Sequence, residues 1–230
     1  MSIRLPLIFM MITLIFSGCE EEREVPQLDF ELDFQPLAIG NTWIYSVDET
    51  IYFGENDSET SAYFYRDSIR SSFLNAEREV VYIVDRSRST NRVTWSKELD
   101  FTLILRDNSI VRTVANESLV SLVFPPKQGL TWNGRRYQAQ GDDDFEIDLV
   151  GASAAIPGLG GSSTIRVNQE KFDDKITNRD IRYEVFGKGI GLVEKYDEVI
   201  TYCSRNNCLG QQLINGGRKT HLKLVGYDTK

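Results

Sequence analysis

The 230-residue sequence predicts an all-β protein: an antiparallel, strongly curved sheet of about ten strands, barrel-like or folded as a sandwich, with little helix. Hydrophobic and polar residues alternate in short stretches that are rich in β-branched and aromatic side chains, which is the period of a strand with one buried face. Turn-forming pairs such as Asn133-Gly134 separate these stretches. A sheet of this size must curl, stack or close, because free edges invite aggregation.

The first 18 residues predict a signal peptide. Arg4 supplies a positive start, residues 5–16 form an apolar run, and Ser17, Gly18 and Cys19 close it. About a dozen apolar residues suit the core of a signal peptide, whereas a membrane-spanning helix needs about 20. The acidic residues that follow end the apolar stretch and exclude a longer span.

The end of this segment, Phe16-Ser17-Gly18-Cys19, resembles a bacterial lipobox. The resemblance implies that Cys19 becomes the first mature residue and that its thiol carries a diacylglycerol. Buried acyl chains contribute about 0.8 kcal/mol per CH₂ group, so several chains on Cys19 would form a durable anchor. The implied location is the outer membrane, on its periplasmic or its surface face. An ordinary signal peptide followed by an unmodified cysteine is the alternative.

Residues 19–34 predict an acidic tether between the lipid and the folded body. The run Glu20-Glu21-Glu22-Arg23-Glu24 and the nearby Pro26 disfavour a packed element. These glutamates resemble the acidic export tag of Bacteroidota-type surface lipoproteins, and a solvated spacer is the alternative. The remaining residues, 35–230, are predicted to form a single β domain.

The strand pattern is clearest at the two ends of this domain. Trp43, Tyr45 and Val47 share one face of a predicted strand, and Leu222 and Leu224 share one face of another.

Three segments predict a break or leave the element open. Residues 117–124 are the best helical candidate, but their branched and aromatic side chains suit a strand equally, and Pro125-Pro126 ends either element. The Asn-Gly-Gly sequence at 215–217 predicts a turn. Residues 151–163 are mostly small and predict a loop.

The stretch Pro36-Leu37-Ala38-Ile39-Gly40-Asn41-Thr42-Trp43-Ile44-Tyr45 resembles the opening of uncharacterised Bacteroidota-type envelope lipoproteins, with the pattern P-L-x-x-G-x-x-W-x-Y. Residues 122–125 together with Trp132 resemble their middle segment, and residues 187–193 resemble their closing one. The three short pieces span most of the mature chain. The resemblance implies an all-β envelope protein and brings neither a known activity nor site residues.

Cys203 and Cys208 are separated by polar, turn-prone residues. Export places them in an oxidising compartment, where a disulfide is expected. Closing so short a loop contributes roughly 2 kcal/mol in the chain-entropy model, which suits a staple at the tip of a hairpin. Free thiols, a redox pair and a metal site are the alternatives, but redox pairs usually have a two-residue spacer.

The sharpest acidic cluster comprises Asp142, Asp144, Glu146 and Asp148, which would line one strand face at a spacing of about 7 Å. Carboxylate oxygens are the ligands that Ca²⁺ prefers, so the cluster is a candidate calcium site. An EF-hand loop needs a glycine at its sixth position, where this sequence has Ile147. Solvation or protection of a sheet edge is the favoured interpretation. An acid–base pair of a hydrolase is a further alternative, and it requires a shared cleft.

Composition narrows the functional classes. The net charge of −8 disfavours a nucleic-acid partner, which needs a basic face. The sequence has one histidine, His221, so a metal site with several histidine ligands is excluded. The alternation of the strand around His221 predicts that it lies on a solvated face beside Lys219 and Lys223. No cofactor or metal is predicted, nor any G-x-S-x-G serine site.

Tryptophan residues offer the one hint of a ligand surface. Trp132 lies in a glycine-containing stretch and is the candidate exposed aromatic, whereas Trp43 and Trp95 are predicted to face the core.

Three hypotheses remain. The first is a lipid-anchored envelope protein with a non-enzymatic binding or structural role, whose ligand or protein partner is unknown. The second is a periplasmic lipid or lipoprotein handler with an apolar cavity, and the third is a carboxylate-dependent hydrolase. An internal cavity would discriminate the second from the others.

Overall fold

The computed structural model describes residues 31–139, 141–153 and 163–230. The predicted signal peptide (1–18), the lipidation site Cys19 and most of the tether lie outside the described residues. Most of the small-residue segment 151–163 lies outside them too.

The described strands form one antiparallel sheet, which confirms the predicted all-β class with twelve strands instead of about ten. The strands are β1 (Thr42–Gly54), β2 (Asp57–Leu74), β3 (Val80–Ser89), β4 (Ser96–Arg106), β5 (Ser109–Val114), β6 (Glu117–Val123), β7 (Thr131–Asn133), β8 (Asp144–Ser153), β9 (Ser163–Asp173), β10 (Asn178–Gly187), β11 (Gly191–Tyr202) and β12 (Ile214–Asp228). Their order across the sheet is β6-β5-β4-β3-β2-β1-β12-β11-β10-β9-β8-β7. Strands adjacent in sequence therefore pair, except β6 and β7 at the two edges, and β12 returns to pair with β1.

Helix is almost absent from the described part of the chain, where a 3₁₀ turn at Leu32–Phe34 is the one helical element. None of the helix in that part is long and apolar enough to cross a membrane. The ambiguous segment 117–124 is strand β6, because its backbone pairs with β5 while Val120 and Leu122 are buried.

The two edge strands, β6 and β7, meet and nearly close the sheet into a barrel. The Val120 N–H donates to the carbonyl oxygen of Gly134, just past β7, and Trp132 Nε1 donates to the carbonyl oxygen of Val120, each at 2.8 Å. A Cβ on Gly134 would lie only 2.5 Å from the Phe145 ring, so glycine allows this close approach. The sheet is therefore barrel-like and not a sandwich.

Because successive side chains of a strand point to opposite faces of the sheet, alternate residues lie inside the barrel. Trp43, Tyr45 and Val47 on β1 are at most 3% exposed, and Leu222 and Leu224 on β12 are also buried. These side chains belong to the hydrophobic core, as the pattern predicts.

The 3₁₀ turn closes one end of the barrel. The Gly189 N–H donates to the carbonyl oxygen of Asp33 at 2.9 Å, and Trp43 Nε1 donates to that of Ile190 at 2.5 Å. Phe34 is 2% exposed and belongs to the core. Phe34, the last residue of the predicted tether, therefore packs into the closed end of the barrel.

Two local predictions are wrong. Residues 215–217 lie inside β12 and not in a turn. Gly217 has a φ of +128°, and a Cβ there would approach the carbonyl oxygen of Val199 to 2.3 Å, so this glycine serves strand packing. Trp95 is half-exposed just before β4, with the Arg66 guanidinium carbon 4.6 Å from its ring centroid.

Candidate functional site

The interior of the barrel contains a cavity of about 970 Å³. This volume lies near the top of the range of about 300–1,000 Å³ that ligand pockets span. The wall combines apolar and aromatic side chains with ionisable ones. The aromatic side chains are Trp43, Tyr45, Tyr63, Tyr65 and Phe101, and the ionisable acids and bases are Glu49, Asp67, Arg86, Arg112, Glu117, Lys195, Asp197 and Arg218.

The cavity opens at one end of the barrel. Along β12 the lining residues change from buried Leu222 to exposed Arg218. Where β5 turns into β6, the lining residues Ala115 and Glu117 are also exposed. The mouth therefore lies at the end that carries the β5–β6 turn and the β11–β12 connection, and buried Trp43 lies toward the closed end.

An ion pair between β2 and β3 forms one part of the wall. Arg86 Nε and Nη2 each donate to a carboxylate oxygen of Asp67 at 2.7 Å. The guanidinium carbon lies 4.7 Å from the ring centroid of Tyr65 and 5.3 Å from that of Phe101. Burial lowers the pKa of Arg86, but the charge of Asp67 and the hydrogen bonds to it together raise that pKa above its ordinary value. The Arg86 guanidinium therefore stays charged in the wall.

A second network crosses the barrel from β5 to β10. Arg112 Nη2 donates to Glu184 Oε1 at 2.5 Å, although the two residues are 72 positions apart. Lys195 Nζ lies 3.4 Å from the same oxygen and 3.3 Å from Asp197 Oδ2. Glu184 is fully buried, and its Oε2 has no hydrogen-bond partner within the described ranges.

Burial and charge act in opposite directions on this network. Burial raises the pKa of Glu184, but the charges of Arg112 and Lys195 outweigh it and hold the pKa below its ordinary value of 4.5. Burial likewise lowers the pKa of Arg112, and Glu184 outweighs it and raises that pKa. Both charges are therefore retained at neutral pH, and the wall carries a fixed polar patch.

The predicted cysteine pair lies near the mouth. Cys203 and Cys208 form a disulfide with their Cα atoms 5.8 Å apart, in the connection between β11 and β12. In the same connection Arg205 Nη2 donates to Glu55 Oε1 at 3.1 Å, which ties it to the β1–β2 turn. Glu55 and the two cysteines are the one group of possible metal ligands among the described residues, but the bonded sulfurs offer no thiolate.

The acidic cluster lies on the outside of the barrel. Asp144, Glu146 and Asp148 share the outer face of β8, because Phe145 and Ile147 between them are fully buried.

Two members of the cluster have partners outside it. Asp142 precedes β8 and accepts a hydrogen bond from Asn133 Nδ2 at 2.6 Å, and Glu146 pairs with Lys171 at 2.9 Å. Within the described ranges no three of the four carboxylates approach one another within 4.8 Å. None of the four lines the cavity.

Trp132 is half-buried, and the prediction that it is an exposed aromatic is wrong. Its Nε1 donates to the carbonyl oxygen of Val120, and its ring packs edge-on against Phe145 with centroids 6.1 Å apart. The reason is that β7 closes the barrel at this point.

His221 lies on the predicted outer face of β12, but contacts replace most of its solvation. Its Nε2 lies 2.7 Å from Glu194 Oε1, and its ring meets that of Tyr196 edge-on, with centroids 5.2 Å apart. The side chain is 21% exposed.

The interior charges escape prediction from the sequence. Asp67 lies on the same inward face of β2 as Tyr63 and Tyr65, two positions after Tyr65. Arg112 stands two positions before Val114 on the inward face of β5. An ionisable residue at an inward position of an apolar strand face is the signal that could find them.

Two solved structures resemble the chain. One is of a presumptive exported protein with a YmcC-like fold from Bacteroides fragilis, at 10% identity and a TM-score of 0.45, covering 85% of this chain and 99% of that one. The other is of a presumptive lipoprotein from Parabacteroides distasonis, at 12% identity and a TM-score of 0.41, covering 85% and 98%. Both likenesses are distant, and neither names an activity. No protein-family model and no curated protein matches the sequence.

Proposed function

We propose that this chain is a non-enzymatic binding protein of the bacterial cell envelope, held by lipid on Cys19, whose barrel cavity takes a small amphiphilic molecule. The cavity of about 970 Å³ is the observation that carries the proposal. Its aromatic and aliphatic wall suits the apolar body of a ligand, and its ion pairs suit a polar head.

The wholly apolar cavity of the lipid-handling hypothesis does not describe this wall, and a purely apolar ligand fits it less well than an amphiphilic one. Eight acidic or basic side chains line the cavity. An apolar ligand would remove the remaining water from these groups without offering them a hydrogen bond, which is costly.

Ion pairing favours binding over hydrolysis. Asp67 is held by Arg86 at 2.7 Å, and Glu49 lies 3.6 Å from Arg218. Carboxylates that are already paired with bases are not free to contact a substrate as the acid and base of a hydrolase.

Filling the cavity tests this proposal. Val114 lines the cavity on β5, and Val114→Trp adds an indole inside it. We expect the binding of N-phenyl-1-naphthylamine, an uncharged fluorescent probe, to weaken by about tenfold or more in this variant. The measurement is a fluorescence titration of the full chain.

Thr50→Trp is the matched control, because Thr50 lies on the outer face of β1 and makes an exposed hydrogen bond to Thr60. This variant should bind the probe as the wild type does. Equal binding by all three proteins would refute the cavity as the site.

Location has a separate test. Cys19→Ala should release the protein from membranes into the soluble fraction, because the anchor in this proposal is the lipid on that thiol. A variant that still sediments with membranes would contradict the anchor. Protease added to whole cells then separates the surface face of the outer membrane from the periplasmic face.

A further inference from the structure

We infer that the cavity selects an anionic head group, a carboxylate or a phosphate, and that Arg112 and Lys195 bind it. The inference rests on the proposed function, since it names the ligand class of the same cavity.

The first argument is the depth at which the charges lie. The side chain of Arg86 is 21% exposed and that of its partner Asp67 is 5% exposed. The side chain of Arg112 is 14% exposed and that of Glu184 is fully buried. Arg112 lines the cavity and Glu184 does not, so at this pair a ligand meets N–H donors and not the carboxylate.

The second argument is the unused capacity of Arg112. Within the described part of the chain its side chain donates one hydrogen bond, to Glu184. A guanidinium has further N–H groups in a planar fork, which matches the oxygens of carboxylates and phosphates. Arg86 differs, because it already uses two of its donors on Asp67 and its plane lies against Tyr65.

The third argument is that a single anion can touch both bases. Arg112 Nη2 and Lys195 Nζ approach the same oxygen of Glu184, at 2.5 and 3.4 Å. Asp197 competes for the ammonium, since it lies 3.3 Å from Lys195. Arg112 is therefore the stronger contact, and Lys195 the weaker one.

The surroundings suit the apolar part of such a ligand. Arg112 stands opposite Leu103 on β4, and Lys195 stands opposite Leu222 on β12. Both leucines line the cavity. An apolar chain beside the head group would exclude water and strengthen the charged contacts.

Titration calorimetry with matched twelve-carbon ligands tests the inference. Full-length protein is titrated with dodecanoate, dodecyl phosphate, dodecan-1-ol and dodecylammonium, each below its micelle-forming concentration. We expect the two anions to bind about 10- to 100-fold more tightly than the alcohol, because hydrogen bonds to charged groups are the strong ones. The cation should bind most weakly.

The preference should depend on Arg112. The double variant Arg112→Gln/Glu184→Gln neutralises both members of the buried pair, so neither is left as a charge without its partner. In this variant dodecanoate should bind no better than dodecan-1-ol. Lys195→Gln is a second, milder variant with an expected loss of about threefold to tenfold in dodecanoate affinity. Arg70→Gln on the outer surface is the control and should leave all affinities unchanged, since Arg70 is 52% exposed and pairs with Asp85. Thermal unfolding confirms that each variant is folded.

The outcomes separate the inference from the proposed function. Equal binding of the alcohol and the anions, or a preference for anions that survives in the double variant, overturns the inference and leaves cavity binding intact. Inorganic phosphate is a further ligand in the same titration. If it binds as tightly as dodecyl phosphate, the apolar wall contributes nothing, and the proposal of an amphiphilic ligand fails while the anion site stands. If no twelve-carbon ligand binds, both fail.

Discussion

Two adjacent rows of residues cross strands β10, β11 and β12, one inside the barrel and one outside. In the inner row Glu184 stands opposite Lys195, and in the outer row Tyr183 stands opposite Tyr196, which in turn stands opposite His221. The two rows are one residue apart along each strand, yet they are built from different interactions.

The inner row depends on charge. Glu184 is fully buried, so its carboxylate loses water and must be compensated by Arg112 and Lys195.

The outer row is stabilised by contacts between aromatic rings. Tyr183 and Tyr196 stack with centroids 5.3 Å apart, and His221 meets the second ring edge-on. Glu194 accepts a hydrogen bond from the Tyr183 hydroxyl at 3.0 Å and lies 2.7 Å from His221 Nε2. On the outer face, water can take the place of a lost polar contact. On the inner face it cannot do so for a carboxylate such as that of Glu184, because the carboxylate is cut off from solvent.

The largest effect should follow from breaking an inner pair. Asp67→Ala leaves Arg86 charged and without its bidentate partner, and we expect the free energy of unfolding to fall by about 3–5 kcal/mol. Denaturant unfolding measures the change. Asp85→Ala is the control, because Asp85 pairs with exposed Arg70 at 3.0 Å. Its expected cost is about 1 kcal/mol or less, and equal losses in the two variants would contradict the contrast between the faces.

The next effect concerns acid stability. The folded-state pKa of Glu184 lies below its ordinary value of 4.5, so its contribution is fully present above about pH 4.5 and is lost as the pH falls through the folded-state pKa. Glu184→Gln removes this dependence, and the free energy of unfolding should fall less steeply on acidification than in the wild type. Urea unfolding at a series of acidic pH values gives the two slopes, and parallel slopes would sink the prediction.

A smaller effect belongs to the outer row at alkaline pH. Burial and the charge of Glu194 raise the pKa of Tyr183 to about 12 from an ordinary value of 10. The contribution of the neutral phenol is present below pH 10 and is lost as the pH rises toward 12, since the unfolded chain gives up its proton first. Tyr183→Phe should therefore flatten the alkaline decline of stability, and a spectrophotometric titration should lose one late-ionising tyrosine. An unchanged titration would contradict the assignment.

The smallest effect should come from an exposed pair. Lys171 and Glu146 lie 2.9 Å apart, with side chains 53% and 41% exposed. Lys171→Ala should change the free energy of unfolding by about 0.5 kcal/mol or less, since solvent already screens the pair. A loss as large as that of Asp67→Ala would show that exposure does not separate the two faces.

Much of the fold follows from local pattern. The alternation of Trp43, Tyr45 and Val47 predicts a strand and its buried face, because successive side chains point to opposite sides. The cysteines at 203 and 208 predict their own pairing, because they are close in the chain. By contrast, the turn predicted at 215–217 is a strand, because packing against Val199 and not chain reversal uses its glycine.

The candidate site could not be predicted in the same way. An alternating pattern shows that Arg112 and Glu184 lie on one face of their strands, but not that β5 and β10 face each other across a cavity. That arrangement depends on the contact between β6 and β7, where the Val120 N–H donates to the carbonyl oxygen of Gly134 and the sheet closes around the interior. Trp132 was predicted to be exposed for the same reason, since nothing local indicates that β7 closes the barrel.

The sequence by itself determined the strand content, the inward and outward faces and the cysteine pair, because these depend on neighbours within a few residues. Only the tertiary structure decided that the sheet closes, that a cavity of about 970 Å³ lies inside it, and that Arg112 and Glu184 meet there. The physical reason is distance along the chain: a contact between residues 72 positions apart exists only once all the intervening strands have taken their places.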